Sequence, residues 1–143
     1  MHPAVESFFA KGLGLHQWLY VKSDGRIGRS LNGRPMLLLR TVGAKTGIER
    51  TNALLYVPTG DAFTVIASTG GGPKHPGWYH NLLAQPDVDV QVGREHVPVR
   101  ARVAEGEERE RLWAEANRIN KGGYDGYQLK TSRRIPVVVL DRR

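Results

Sequence analysis

Two glycine-containing stretches carry residues suited to binding an anion. "GAKTGIER" (residues 43–50) places Lys45 and Arg50 around a turn, and the exposed backbone N–H groups of such a turn could join both cations at a phosphate or carboxylate. "STGGGPKHPGW" (residues 68–78) passes three glycines and reaches Pro76, a residue suited to the start of a helix. A ligand could therefore approach the backbone closely beside a helix N-terminus.

Each stretch also has a plainer interpretation. The first could be a hairpin loop with two solvated cations, and the second a flexible connector. The second lacks the GK[ST] ending of a P-loop and the GxGxxG spacing of a dinucleotide fingerprint. His75, His80 and His96 lack the HExxH or HxH spacing of a metal site, so no metal is predicted. Ser68 is not part of a GxSxG hydrolase elbow.

Six short β-type runs must position these stretches, and they span residues 36–42, 51–58, 62–68, 88–92, 97–103 and 135–140. Valines alternate with other residues along the fourth and fifth runs, which predicts strands with one buried face. "GREH" between them is short enough for a hairpin, and "TGD" and the first stretch above supply two more tight connections. The pattern predicts a mainly β fold, a six-stranded antiparallel barrel with helices packed around it.

Two helices are predicted beside the barrel. "GWYHNLLAQ" follows Pro76 and is stopped by Pro86. "EGEERERLWAEANRIN" aligns Leu112, Ala116 and Ile119 in one stripe, which is typical of a helix packed on a core.

Residues 1–33 are predicted to form an N-terminal amphipathic helix and linker, ahead of a barrel domain at residues 34–143. The apolar positions with roughly helical spacing are Val5, Phe8, Phe9, Leu15, Trp18 and Leu19. Nearby cations would permit peripheral contact with a membrane, but covering a barrel end or a partner subunit is the commoner use of such a helix.

Composition restricts the remaining classes. The 143 residues suffice for one domain with its own core. The absence of Cys excludes disulfides and thiolate metal sites, and neither a transmembrane run nor a signal peptide is visible, so a cytoplasmic protein is predicted. The net charge of +7 favours anionic ligands. Dispersed basic residues without a helix-turn-helix, RNP or finger pattern argue against nucleic acid.

Three blocks taken together resemble the deazaflavin-dependent nitroreductase family, whose members use coenzyme F-420. They are "LLRTVGAKTGIERTNALLY", "VIASTGGGPKHPGWYHNLLAQPDVDVQV" and "YDGYQLKTSRRIPVVVL". The resemblance covers nearly everything after residue 33 and implies a split β-barrel. It also implies an oxidoreductase that transfers hydride from the reduced coenzyme to a quinone-like or nitroaromatic acceptor. The alternatives are a non-catalytic carrier of deazaflavin or flavin mononucleotide, and a basic interaction module.

The resemblance also implies roles for individual residues. The coenzyme's phosphate and acidic tail are expected at Ala44, Lys45, Thr46, Arg50, Thr51, Asn52, Ala53, Leu54 and Leu55. The deazaflavin and its ribityl chain are expected at Ile66, Ala67, Ser68, Thr69, Gly77, Trp78, Tyr79, His80 and Asn81, with Tyr124 also in contact. Tyr124 and Tyr127 are expected to bind the acceptor. Hydride transfer also requires a proton or hydrogen bond to the reduced product, and Ser68 and Tyr124 are the candidates for this task.

Two positions depart from the family pattern. Thr69 stands where many relatives have Lys, and Lys121 occupies a place that can be aromatic in the members that reduce nitroimidazoles. Lys121 precedes Tyr124 by three residues, so it could narrow the mouth of the barrel or favour acidic acceptors, and poor reduction of bulky bicyclic nitroimidazoles relative to simple quinones is predicted.

Overall fold

The computed structural model describes residues 14–31 and 33–143, so Val5, Phe8 and Phe9 of the predicted N-terminal helix lie outside the described residues. The strands in these ranges are β1 (Ser30–Leu31), β2 (Arg34–Val42), β3 (Glu49–Leu55), β4 (Val57–Thr59), β5 (Ala62–Ile66), β6 (Asp87–Val92), β7 (Glu95–Val103) and β8 (Val137–Arg142). The helices are α1 (residues 14–22), α2 (Gly77–Ala84), α3 (Gly106–Ile119) and α4 (Gly123–Leu129), with a short 3-10 turn at Thr69–Gly71.

A bent strand closes the sheet into a barrel. The strands follow the order β1-β2-β6-β7-β8-β5-β4, and β3 pairs with the other side of β2. Only Tyr56 separates β3 from β4, so one continuous segment pairs with β2 at one end, where Leu55 faces Met36, and with β5 at the other, where Val57 faces Thr64. All these pairings are antiparallel. The predicted split β-barrel and its six runs are confirmed; the run at residues 51–58 forms both β3 and β4, and β1 is an additional strand.

The uninterrupted apolar runs belong to strands that are buried on both faces. In β2, Leu37 and Leu39 belong to the core cluster inside the barrel, whereas Met36 and Leu38 pack outside it with Tyr20. The same division holds in β8, whose outward valines pack under α3 and α4. Where one face meets solvent, as in β6 and β7, apolar residues alternate with polar ones.

Helix α1 faces the barrel with a different side from the one that hydrophobicity predicts. His16 and Tyr20 are buried, while Leu15 and Trp18 are 60% and 55% exposed. Because the Tyr20 hydroxyl accepts a hydrogen bond from the Gly93 N–H at 2.7 Å, its polar end is satisfied inside the fold. The buried Tyr20, whose hydroxyl is hydrogen-bonded, therefore anchors α1 in place of the predicted apolar stripe. The division of the chain at residue 33 stays a prediction.

The connections and remaining helices position the site. The hairpins predicted between β2 and β3, β4 and β5, and β6 and β7 are confirmed, as are α2 and α3. Helix α4 is an element that the sequence pattern did not define. None of the helices within residues 14–31 and 33–143 is long and apolar enough to cross a membrane.

Candidate functional site

A cavity of about 460 Å³ opens between the β2–β3 hairpin, the segment after β5, the start of α2 and helix α4. Its volume lies in the range of small-molecule and cofactor sites. The walls are mainly apolar and aromatic, and the lining residues are Leu31, Arg34, Met36, Ala53, Leu54, Leu55, Ile66, Ser68, Thr69, Gly70, Pro76, Trp78, Asn120, Tyr124 and Tyr127.

Nine of the residues predicted from the sequence meet at this cavity. They are Ala53, Leu54, Leu55, Ile66, Ser68, Thr69, Trp78, Tyr124 and Tyr127. They come from β3, β5 and the segment after it, α2 and α4, so the fold assembles them from distant parts of the chain. Trp78 also belongs to the core inside the barrel, which makes it both an anchor of the fold and part of a cavity wall.

Two hydroxyl groups at the cavity are available to a ligand. Within the described ranges, neither Ser68 Oγ nor Tyr124 Oη forms a hydrogen bond with the protein. Tyr124 is 5% exposed, and burial, followed by the neighbouring Tyr127, raises the pKa of its phenol, while Arg34 opposes the shift. The Tyr124 hydroxyl therefore keeps its proton at neutral pH and can donate a hydrogen bond.

The segment that carries Ser68, residues 67–75, is here called the glycine-rich loop. It is bound to the segment after α4 through one side chain, Arg133. The guanidinium donates to the Ala67, Ser68 and Gly72 carbonyl oxygens, Thr69 Oγ1 and His75 Nδ1. Both the loop and α4 thus reach the cavity from positions that are fixed relative to each other.

The turn at residues 43–50, called the cationic turn, is joined to α2 by a hydrogen bond from its backbone. The Ala44 N–H donates to Asn81 Oδ1 at 2.9 Å, and Asn81 Nδ2 donates to Thr41 Oγ1 at 3.0 Å. Asn81 follows Trp78 by three residues in α2, which is about 5 Å along the helix axis. Lys45 and Arg50 are exposed on this turn.

The structure does not bring the other predicted residues to the cavity wall: Ala44, Lys45, Thr46, Arg50, Thr51, Asn52, Ala67, Gly77, Tyr79, His80 and Asn81. Ala67 is buried in the barrel core. The Asn81 side-chain amide is hydrogen-bonded to the cationic turn, and the His80 ring packs beside the His75 ring at a centroid distance of 5.8 Å.

Two polar residues at the cavity were missed from the sequence. Arg34 Nε donates to Asn120 Oδ1 at 2.9 Å, and both residues line the cavity. Arg34 begins β2 and Asn120 follows α3, so 86 positions separate them in the chain. No local pattern links such a pair.

Comparison with known proteins identifies the family. A family model described as F-420H(2)-dependent quinone reductase matches residues 13–142. The chain belongs to this family. An F-420H(2)-dependent quinone reductase of Mycobacterium tuberculosis is 48% identical over 134 residues, which cover 92% of this chain and 90% of that protein. The predicted family and its oxidoreductase class are thereby confirmed.

Solved structures of relatives have the same fold as this F-420H(2)-dependent quinone reductase family member. One, described as an F-420-H2 dependent reductase (FDR-A), is 44% identical with a TM-score of 0.69 and covers 76% of this chain and 95% of its own. Another, described as a domain-swapped dimer, is 37% identical with a TM-score of 0.71 and covers 92% of this chain and 98% of its own.

The family's coenzyme, reduced F-420, fits the chemistry of the site. A flat ring system requires apolar walls, and Trp78 and Ile66 supply them beside the two available hydroxyls. An acidic tail requires accessible cations, and Lys45 and Arg50 are exposed on the cationic turn, which Asn81 joins to α2. An apolar cavity with two hydroxyls and a separate pair of exposed cations therefore suit a planar group that is joined to an anionic tail.

Proposed function

We propose that this chain is an oxidoreductase that reduces a quinone at the expense of reduced coenzyme F-420. The observation that carries the proposal is that Ser68 and Tyr124 line one mainly apolar cavity, and that neither hydroxyl has a hydrogen-bond partner among the residues that the structure describes. Membership in the quinone reductase family supports it. When bound, the coenzyme supplies two electrons as a hydride.

Ser68 and Tyr124 act as hydrogen-bond donors to an oxygen of the acceptor. Reduction places negative charge on that oxygen, and a donor already fixed in a water-poor site stabilises the charge without reorganising. Because burial raises the pKa of Tyr124, this residue is a donor and not a base. The two groups lie on separate elements, so they can contact the acceptor from two directions.

The coenzyme is held by two kinds of residue. Trp78, Ile66 and Leu54 supply apolar wall to its ring. Lys45 and Arg50 bind its phosphate and acidic tail through ionic contacts, which predicts that added salt weakens the affinity.

The acceptor is a simple quinone that enters beside Tyr124 and Tyr127. The two rings meet edge to face with centroids 6.0 Å apart, and they leave a wall suited to a small flat molecule. Nitroaromatic compounds of similar size are a second acceptor class. Bulky bicyclic nitroimidazoles are reduced poorly by comparison.

Two measurements test the proposed function. Titration with oxidised coenzyme F-420, followed by quenching of its fluorescence, is expected to give saturable binding that flavin mononucleotide competes with weakly. Oxidation of the reduced coenzyme is then expected to depend on menadione. Binding without turnover would make the protein a carrier, and retention of flavin mononucleotide with no deazaflavin binding would reject the coenzyme.

A surface on α1 favours one further partner, an anionic membrane. Leu15, Trp18 and Val21 are exposed on α1, and the cations Lys22 and Arg26 lie near them. Apolar side chains beside cations are typical of interfacial helices. Co-sedimentation with phosphatidylglycerol vesicles tests this contact: Trp18→Ser is expected to reduce binding, and equal sedimentation of parent and variant would reject the contact.

A further inference from the structure

We propose that Arg133 is a positioning residue that holds the glycine-rich loop against α4 and so sets the distance between Ser68 and Tyr124. The structural part concerns the protein alone. The effect on the reaction rests on the proposed function.

The Arg133 guanidinium donates five hydrogen bonds, all to acceptors in the glycine-rich loop. Nε donates to the Gly72 carbonyl at 2.9 Å; Nη1 donates to the Ala67 carbonyl at 3.1 Å and to His75 Nδ1 at 2.9 Å. Nη2 donates to the Ser68 carbonyl at 2.8 Å and to Thr69 Oγ1 at 2.9 Å. An arginine has five such donors, so none is left for a ligand. The Arg133 guanidinium therefore binds groups of the protein itself and does not serve as an anion site.

The bound segment has a conformation that requires support. Thr69, Gly70 and Gly71 have φ values of +45°, +63° and +86°. A β-branched residue such as Thr69 rarely adopts positive φ, and such strain persists only where surrounding contacts impose it. The Thr69 hydroxyl accepts from Arg133 and lies 3.0 Å from the Lys74 carbonyl oxygen, so its own side chain is part of that support.

The glycine-rich loop also lies directly on α4. A Cβ atom at Gly71 would sit 2.8 Å from the Tyr127 carbonyl oxygen, a distance that real Cβ contacts do not reach. Arg133 follows α4 by only a few residues, so its backbone belongs to the segment on which the loop packs. The side chain consequently joins the element that carries Ser68 to the element that carries Tyr124.

The ionisation of the neighbours agrees with this role. Burial, then the charge of Arg133 and then His80, lower the pKa of His75, so its ring is neutral and Nδ1 can accept. Arg133, His80 and the Tyr79 ring, at a centroid distance of 4.8 Å, are the groups that face His75. Arg133 forms no ion pair with a carboxylate within residues 14–31 and 33–143; carbonyl oxygens surround its charge.

Lysine cannot replace this contact set. Its ammonium carries three donors on one nitrogen, whereas the five bonds spread over three nitrogens of a planar fork. Arg133→Lys thus keeps the charge and removes the geometry. Arg134→Lys is the matched control, because Arg134 is the next residue, is exposed and makes one 3.6 Å ion pair with Glu105.

Hydrogen exchange of the unliganded protein tests the structural part. In Arg133→Lys, amides at residues 68–72 are expected to exchange at least about tenfold faster than in the parent, while the barrel strands keep their protection. Arg134→Lys should match the parent. His75→Phe provides a milder variant, which deletes one acceptor but keeps the ring beside Tyr79, and it should accelerate the same amides to a smaller extent. Unchanged exchange in both Arg133→Lys and His75→Phe would overturn the proposal.

Single-turnover reduction of menadione tests the effect on the reaction. At saturating reduced coenzyme, Arg133→Lys is expected to slow the reaction by about tenfold or more, because small misplacements of reacting groups are costly. The coenzyme Kd should change by less than about threefold, since Lys45 and Arg50 remain. An unchanged rate with fast loop exchange would overturn the positioning role. If the parent itself fails to oxidise the coenzyme, the proposed function fails, and the exchange result still decides the structural part.

Discussion

Two glycine-containing segments of this protein look alike in sequence and differ in how they use their polar groups. The glycine-rich loop (residues 67–75) receives five hydrogen bonds from Arg133 and packs against α4. The cationic turn (residues 43–50) is closed by its own backbone and anchored by Asn81, with Lys45 and Arg50 exposed. The cation beside the glycine-rich loop, Arg133, donates its hydrogen bonds to the protein itself. The cations of the cationic turn, Lys45 and Arg50, remain available to an anion.

The comparison shows that glycine has two purposes here. In the glycine-rich loop, Gly71 permits a close backbone approach to α4 that a side chain would obstruct. In the cationic turn, Gly47 has a φ of +70° and open space around it, so it serves only the turn. The hydrogen bonds from Arg133 support the proposed positioning role of the first segment, and the exposed cations support the proposed anion binding by the second.

The largest expected effect is on stability, at Gly71. Gly71→Ala should lower the free energy of unfolding by about 2–4 kcal/mol, because the new Cβ meets the Tyr127 carbonyl and the residue has positive φ. Gly70→Ala is the matched control, since its φ is also positive and a Cβ there meets nothing within 4 Å. It should cost only about 1–2 kcal/mol. Urea unfolding measures both, and equal losses would show that packing against α4 is unimportant.

The next effect separates the cationic turn from the glycine-rich loop. Lys45→Ala and Arg50→Ala should each weaken coenzyme F-420 binding by about 1–3 kcal/mol, because each removes an ionic contact. Their unfolding free energies should match the parent, since both side chains are exposed. Lys22→Ala on α1 is a control that removes a charge elsewhere. Fluorescence titration at low and high salt measures the affinities, and unchanged values in both turn variants would reject the assignment.

A smaller effect is expected from a single hydroxyl at the cavity. Tyr124→Phe should lower kcat/KM for menadione by about 1–2 kcal/mol, because the ring stays and only a hydrogen bond to the acceptor is lost. Tyr56→Phe is the control, since Tyr56 does not line the cavity. Steady-state kinetics with both variants are decisive: equal kcat/KM values would remove Tyr124 from the proposed donors.

Much of the fold could be predicted because its signals are local. The alternating valines of β6 and β7 and the stripe of α3 are periodic within a few residues, so pattern alone defines them. Helix α4 is short and contains Gly123 and Gly126, and it forms on the support of α3 and the glycine-rich loop. The buried face of α1 was missed because it depends on hydrogen bonds that Tyr20 makes with distant segments.

The candidate site was only partly predictable from the residues, and the resemblance supplied most of its members. Ser68, Trp78 and Tyr124 belong to blocks typical of the family. Arg133 is one of two adjacent arginines, and nothing in the sequence indicates that it binds a loop 58 to 66 positions earlier in the chain. Such a role depends on which segments the fold brings together, so no local pattern of residues predicts it.

The smallest effect concerns the pH dependence of stability. Burial and Arg133 lower the pKa of His75 below its ordinary value of 6.5, so the folded state favours the neutral ring. Below about pH 6.5 the unfolded chain binds the proton more readily, and stability should therefore fall as the pH drops toward the lowered pKa of the folded state. His75→Gln, which keeps an acceptor but cannot titrate, should lose less stability than the parent between about pH 7.5 and about pH 5.5. Equal losses of unfolding free energy in the parent and His75→Gln would show that folding does not lower the pKa of His75.

The most direct test of the central claim is the anaerobic oxidation of reduced coenzyme F-420 by menadione, measured for the parent and two matched variants. Ala53 lines the cavity, so Ala53→Phe narrows it, whereas Ala84 is exposed at the end of α2 and Ala84→Phe leaves the cavity unchanged. We predict saturable oxidation by the parent and Ala84→Phe, and at least about a tenfold lower kcat/KM in folded Ala53→Phe. Oxidation at the same rate in Ala53→Phe and Ala84→Phe, or coenzyme binding by the parent without any oxidation, would contradict the assignment of this cavity as the site of reduction.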